Sequence, residues 1–316
     1  MMSLTASSGC SRTAAPVSWS RDRNARTPDY EPLAFAGAGA FCDVWQVREL
    51  ATGAVRALKQ LRPEHEVQRV ARQLLENEAE AGRRLTSPHI ARVIEARLEV
   101  APRFLVMEWL TGQTLEQLLA ARGALPCRQA LWVARQCAQG MADLAAAGLA
   151  HGDVKPTNIF VECSGVVRLI DLGFARPVEP AATADRLLTG TPEYLAPESL
   201  GGEFRPPIEK DIYSLGVVLY RMLCGRLPFV GDTVEDVLRQ QQQAIPRDLR
   251  RAAPHVPREV ADLTTRLLAK HPLRRGDGLP HLVHDLARLE LAAFAAVAHS
   301  GDRPPRMAAM DDAALG

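Results

Sequence analysis

His151-Gly152-Asp153-Val154-Lys155-Pro156-Thr157-Asn158, followed thirteen residues after Asn158 by Asp171-Leu172-Gly173, is the stretch that decides the fold. Residues 159–162 and 166–170 read as short strands around a Cys163-Ser164-Gly165 turn. Asn158 lies six residues before Ser164, and Asp171 six after Gly165. Antiparallel pairing therefore carries both side chains to the open mouth of the hairpin. Two oxygen donors converging there suit Mg²⁺, which takes hard oxygen ligands together with substrate phosphates. Without its surroundings the octapeptide is only a polar loop ahead of a hairpin.

Working toward the N-terminus, residues 33–41, 44–50 and 55–61 read as three strands. A glycine-bearing turn separates the first two, and Thr52-Gly53 precedes the third. The first turn carries Gly37-Ala38-Gly39-Ala40-Phe41-Cys42-Asp43-Val44, whose glycines let backbone N–H groups approach phosphate oxygens. Such a loop also occurs as a plain flexible turn. Ala57-Leu58-Lys59 on the third strand places a lysine within reach of bound phosphates. Residues 64–85 read as a helix with an apolar stripe through Val67, Ala71, Leu74, position 78, position 82 and Leu85. Position 78 is a glutamate. A carboxylate on a buried stripe requires a cationic partner, because an unpaired buried charge is very costly.

The chain has 316 residues, 24% charged and 47% apolar, the composition of an ordinary globular protein. A formal net charge of +1 provides no basic field for nucleic acid or an anionic membrane surface. The six cysteines are scattered, with no C-x-x-C and no zinc spacing, which fits a reducing cytoplasm. Residues 1–28 lack both apolar periodicity and a signal-peptide core, and 299–316 look alike; both are expected to be disordered tails. Strand-like runs dominate up to Met107, and helical patterns follow Thr114. The expected fold is thus α+β and bilobal.

In this order the motifs resemble the eukaryotic-like protein kinase family, as a bacterial-type member. A glycine loop, a strand lysine, a helix glutamate, an Asp…Asn catalytic loop and a D-x-G element are followed by Gly190-Thr191-Pro192-Glu193-Tyr194 and Ala196-Pro197-Glu198. Only four lysines occur, against 34 arginines. Filling both lysine positions by chance has odds of about two in ten thousand. The resemblance implies a kinase domain over 29–298, with a small lobe over 29–107, a hinge over 108–111 and a large lobe over 112–298. It implies a serine/threonine-protein kinase, a transferase that uses ATP and Mg²⁺ as cofactors and takes protein substrates.

By the same resemblance, Lys59 holds the α- and β-phosphates and pairs with Glu78. Asp153 accepts the substrate hydroxyl proton, Lys155 steadies the transferred phosphate, and Asn158 and Asp171 hold the metal. Gly37 and Gly39 cover the phosphates. Val44, Ala57 and Phe160 sandwich adenine beside Met107 and the hinge residues Glu108, Trp109 and Leu110. Thr191 meets Asp153 and Lys155. Asp211-Ile212-Tyr213-Ser214-Leu215-Gly216 corresponds to a central buried helix, and Arg275 pairs with Glu198. Lys155, two residues after Asp153, follows the serine/threonine pattern.

Four positions depart from the family pattern. Gly152 replaces the arginine that reads an activation-loop phosphate, so activity is expected to depend little on Thr183 or Thr189. Leu172 replaces phenylalanine. Cys42 replaces the third loop glycine. Gly82 removes an apolar side chain one turn after Glu78, which predicts a loosely held helix steadied by a regulatory partner or a homodimer on the small lobe. Two other classes compete. A small-molecule phosphotransferase of the aminoglycoside-kinase type shares His-Gly-Asp but lacks the 190–198 segment. A nucleotide-binding pseudokinase would have lost a lysine, aspartate or asparagine, and none is lost here.

Overall fold

Strand β1 (Tyr30–Ala38) pairs with β2 (Cys42–Glu49), which returns through Gly53, at φ 74°, into β3 (Val55–Leu61). Alternation along β3 sends Leu58 to one face, where it packs with Tyr30, Val47, Phe104 and Val106. Leu61 goes to the other, with Cys42, Ala71, Leu75, Ala79 and Leu105. The helix α1 (Arg69–Arg84) covers that second face, and β4 (Val93–Arg97) and β5 (Phe104–Glu108) complete an antiparallel sheet of order β1-β2-β3-β5-β4. The computed structural model describes residues 29–179, 191–200 and 207–299. The expected tails at 1–28 and beyond 299 lie outside the described residues, as do Cys10, Thr183, Arg186 and Thr189.

After β5 come β6 (Gly112–Thr114), α2 (Leu115–Arg122), α3 (Cys127–Ala146) and β7 (Leu149–Ala150). Thr114 caps α2: its hydroxyl accepts from Gln117 N–H, and the Gln117 side chain accepts in return from Thr114 N–H. The hairpin β8 (Ile159–Glu162) and β9 (Val167–Leu169) forms a three-stranded sheet with β6, and β10 (Arg176–Pro177) pairs with β7. Then follow α4 (Pro207–Cys224), α5 (Val234–Gln243), α6 (Leu249–Ala252), α7 (Arg258–Leu267) and α8 (Leu279–His299). Helix α4 is buried around its whole circumference from Asp211 to Tyr220, as a helix at the centre of a bundle must be. Among the described residues, no helix is long and apolar enough to cross a membrane. The bilobal α+β fold expected from the sequence is the one observed.

Three local expectations need correction. The helix starts at Arg69 rather than 64, because Pro63–His65 is a separate 3-10 turn. Val67 is therefore 84% exposed, and Leu75, not Leu74, joins the core. The hairpin pairs Ile159 with Leu169, and Ile170 N–H donates to Asn158 O at 2.9 Å, so Asp171 stands one residue beyond the mouth. The loosely held helix is contradicted at Gly82. A Cβ there would lie 2.8 Å from Val93 Cβ and closer still to Val93 Cγ2. The helix and β4 are in such close contact that only glycine fits, so the space is filled rather than vacant. The reason for invoking a small-lobe partner falls with it.

Candidate active site

Lys59 leaves the sheet from β3 on the face toward α1, where Glu78 is 2% exposed. The Lys59 Nζ donates to Glu78 Oε2 at 2.6 Å and to Asp171 Oδ1 at 3.0 Å. Burial disfavours the ammonium, but the two carboxylates outweigh it and hold the Lys59 pKa above its usual value. Burial pushes Glu78 up, opposed by Lys59 and by a hydrogen bond from Leu172 N–H. Burial also works against Asp171, yet Lys59 and the Gly173 N–H hold its carboxyl below the usual range. Asp171 has φ 65°, a left-handed backbone that turns its side chain out of the line of β9.

The segment from His151 to Asn158 is built by backbone capture. Asp211, at the buried start of α4, accepts from His151 N–H at 2.7 Å and from Gly152 N–H at 2.9 Å. Gly152 has φ 80°, and a Cβ there would collide with Phe174 O and lie 3.3 Å from Arg176 Nη2. The loop thus passes where a side chain would be strained. Asn158 Nδ2 donates to both Asp153 O and Asp153 Oδ2, each at 2.9 Å. Lys155 Nζ lies 2.7 Å from Asp153 Oδ2 and donates to Thr191 Oγ1 at 2.9 Å. Asp153, Lys155, Asn158 and Thr191 therefore form one connected cluster. The Ala196-Pro197-Glu198 element is anchored by Arg275, whose guanidinium grips both Glu198 oxygens at 2.5 and 2.7 Å. That pair is almost fully buried and stacked over Tyr213.

Beside Lys155 and Thr191 opens a groove of about 450 Å³ lined by Pro156, Thr157, Tyr194, Leu227 and the Glu116–Arg221 pair. On the other side, Ala57 faces Met107 across β3 and β5, Val44 faces Lys59, and Phe160 faces Thr114. Among the described residues no atom would meet a Cβ at Gly37, and one at Gly39 would make only ordinary contact with Cys42 O. Leu110 is half-buried. The Glu108 side chain accepts from Arg92 N–H at 2.8 Å and lies 2.9 Å from Arg168 Nη1, so it braces the end of β5 against β9. Cys42 is a core residue, and burial pushes its thiol up to about 11, far from a reactive thiolate.

The oxygen donors fit a magnesium ion. Asn158 commits its Nδ2 to Asp153, so Oδ1 is the atom it could offer a cation, and Asp171 is held ionised. Two protein oxygens suit a cation whose other ligands are phosphate and water.

The sequence matches the protein kinase domain model over residues 30–285. The chain belongs to the protein kinase family. Among curated relatives it is 32% identical over 286 residues to the serine/threonine-protein kinase drp72 of Corynebacterium efficiens, spanning 88% of this chain and 52% of that protein. It is 34% identical over 270 residues to pkn2 of Myxococcus xanthus, spanning 83% of this chain and 32% of that one. The kinase PknA of Mycobacterium tuberculosis is 33% identical over 275 residues, spanning 85% and 61%. The chain spans about half the length of the first of these relatives and less of the second.

Two residues of this kinase domain escaped the sequence reading. Asn77 Nδ2 donates to Gly173 O at 3.1 Å, tying α1 to the Asp171 turn one residue before Glu78 does the same. Arg62, just past β3, donates to carbonyls of the glycine loop. Asn77 lies off the apolar stripe and Arg62 outside any motif, so neither carries a sequence signal.

Proposed function

We propose that this domain transfers the γ-phosphoryl group of Mg·ATP to serine and threonine hydroxyls of proteins. The observation that carries the reading is Lys155. Its Nζ joins Asp153, at 2.7 Å, to Thr191, at 2.9 Å, beside an open groove. That link supports a site in which the catalytic loop and the 190–198 segment act together. A small-molecule phosphotransferase has no such segment to present a protein.

Adenine sits between Val44 and Ala57 above and Phe160 below, against Met107 and the backbone of Glu108 to Leu110. Lys59 binds the α- and β-phosphates and is held by Glu78, while Gly37 and Gly39 leave room above them. Asn158 and Asp171 hold the magnesium ion, which neutralises phosphate charge when bound. The acceptor Oγ attacks the γ-phosphorus, its proton passes to an Asp153 oxygen, and the bond from phosphorus to the β-phosphate oxygen breaks to release ADP. The Lys155 cation stabilises the transferring oxygens. Catalysis is mostly positioning and preorganised charge. We assign this chemistry to a reducing, cytoplasmic setting, on the strength of cysteines scattered through the sequence with no C-x-x-C and no zinc spacing.

The test is incubation with γ-labelled ATP and a generic basic protein, followed by phosphoamino acid analysis. Label on serine and threonine is expected. Label appearing only on an aminoglycoside would favour the small-molecule reading, and ATP binding without any transfer would favour a pseudokinase.

A further inference from the structure

The tip of the glycine loop is held from outside. Arg62 Nη2 donates to Gly39 O at 3.2 Å and to Ala40 O, and Arg62 N–H donates to Phe41 O at 3.0 Å. Arg62 Nη2 also approaches His65 Nε2 at 3.4 Å, and the His65 ring stands edge-on to Phe41, centroids 5.3 Å apart. Glu64 Oε1 lies 3.7 Å from Arg62 Nε, which has no hydrogen-bond partner among the described residues. One guanidinium thus gathers the loop tip and the turn that precedes α1.

The direction of those carbonyls has a consequence. In a trans peptide the C=O and the following N–H point opposite ways. Turning Gly39 O and Ala40 O toward Arg62 turns the N–H groups of Ala40 and Phe41 away from it. Lys59 lies on β3, and Arg62 follows its last residue, Leu61, at the turn that leads into α1. Among the described residues the Ala40 and Phe41 N–H groups make no backbone hydrogen bond, so both are left to meet an anion bound beside the glycine loop.

We propose that Arg62 is a positioning residue for phosphate recognition: by holding the loop carbonyls outward it presents the Ala40 and Phe41 N–H groups to the terminal phosphates of ATP. This rests on the proposed nucleotide site and adds to it a determinant that touches no ligand. Nη2 carries two N–H donors in the fixed plane of the guanidinium, one for each carbonyl, whereas an ammonium is a freely rotating point donor. The effect is specific to phosphate, since adenosine reaches the hinge but not the loop tip.

The experiment compares dissociation constants of Mg·ATP and adenosine for wild type, Arg62→Met and Arg62→Lys by calorimetry. Arg62→Met is expected to weaken ATP about tenfold, the worth of a charge-assisted hydrogen bond, and to leave adenosine within about twofold. Arg62→Lys should fall between. Equal weakening of both ligands would reduce Arg62 to a structural role and overturn the inference, as would unchanged ATP affinity. A measurement on wild type covers the case in which the variants fail to fold. Amide exchange at Ala40 and Phe41 should slow with Mg·ATP but not with adenosine, and equal exchange in both would overturn the proposal. If wild type binds adenosine but no ATP, the phosphate site itself is wrong and this inference goes with it; if wild type binds ATP and Arg62→Met binds it equally, only this inference fails.

Discussion

Replacing Gly82 is the most informative change in the small lobe, because a missing side chain in helix α1 invites filling. The new Cβ of Gly82→Ala would lie 2.8 Å from Val93 Cβ, well inside ordinary contact. Alanine gains about 1 kcal/mol over glycine in a helix interior. Overpacking a tight contact costs about 1–3 kcal/mol. The net for Gly82→Ala is a loss of about 0–2 kcal/mol, and Gly82→Leu, with three more carbons to place, should lose more. The helix must move off β4 by close to an ångström, and Glu78 lies one turn away with its oxygen 2.6 Å from Lys59. Turnover should therefore fall along with stability. Val93→Ala removes the colliding Cγ2, so Gly82→Ala with Val93→Ala should show a favourable coupling of about 1 kcal/mol or more in a double-mutant cycle. Urea denaturation and initial rates on the four proteins read both effects. Higher basal turnover in Gly82→Leu would refute the packing argument and restore the idea of a vacant, loosely held helix.

Other changes address the ion pairs and control. Lys59→Met leaves Glu78 buried without its cation and should cost about 3–5 kcal/mol by denaturation; adding Glu78→Gln should recover stability but not turnover. The acid limb of the rate profile should belong to Glu78. Burial raises its folded pKa above the ordinary 4.5, so turnover should fall at a pH above that value while folding stability does not. The sign follows because a raised carboxyl takes its proton more readily folded than unfolded. Glu78→Gln should lose that limb. Asn77→Leu removes one hydrogen bond to Gly173 O and should lower turnover several-fold while raising the Mg²⁺ concentration needed for half-maximal rate; a change in thermal stability alone would make Asn77 merely structural. Thr183→Ala with Thr189→Ala should retain most activity on dephosphorylated protein, since Gly152 has no side chain with which to read a phosphate.

Much of this site was legible in one dimension, and the exceptions have physical reasons. Glu78 announced itself because a charge on an apolar stripe demands a partner, and its partner was the single lysine on the neighbouring strand. The boundary at Arg69 was not legible, because the apolar spacing runs on through Val67 across a turn that is not α-helical. The hairpin mouth was misjudged by one residue because the turn is centred on Ser164 and the pairing runs Val161 to Val167. Gly82 was misread because helix propensity is local, whereas the approach of Val93 belongs to a strand eleven residues away. Arg62 and Asn77 act on backbone carbonyls, which every residue offers and no motif marks.

The central claim is that Asp153 serves the acceptor hydroxyl while Lys59 and Asp171 serve the nucleotide. The direct measurement is a paired one on Asp153→Asn: the dissociation constant for Mg·ATP and the rate of label transfer to protein. The account predicts near-normal ATP affinity with transfer reduced by about a hundredfold or more, the usual scale for removing a general base. Asp153→Asn that still transfers phosphate at close to the wild-type rate would contradict it.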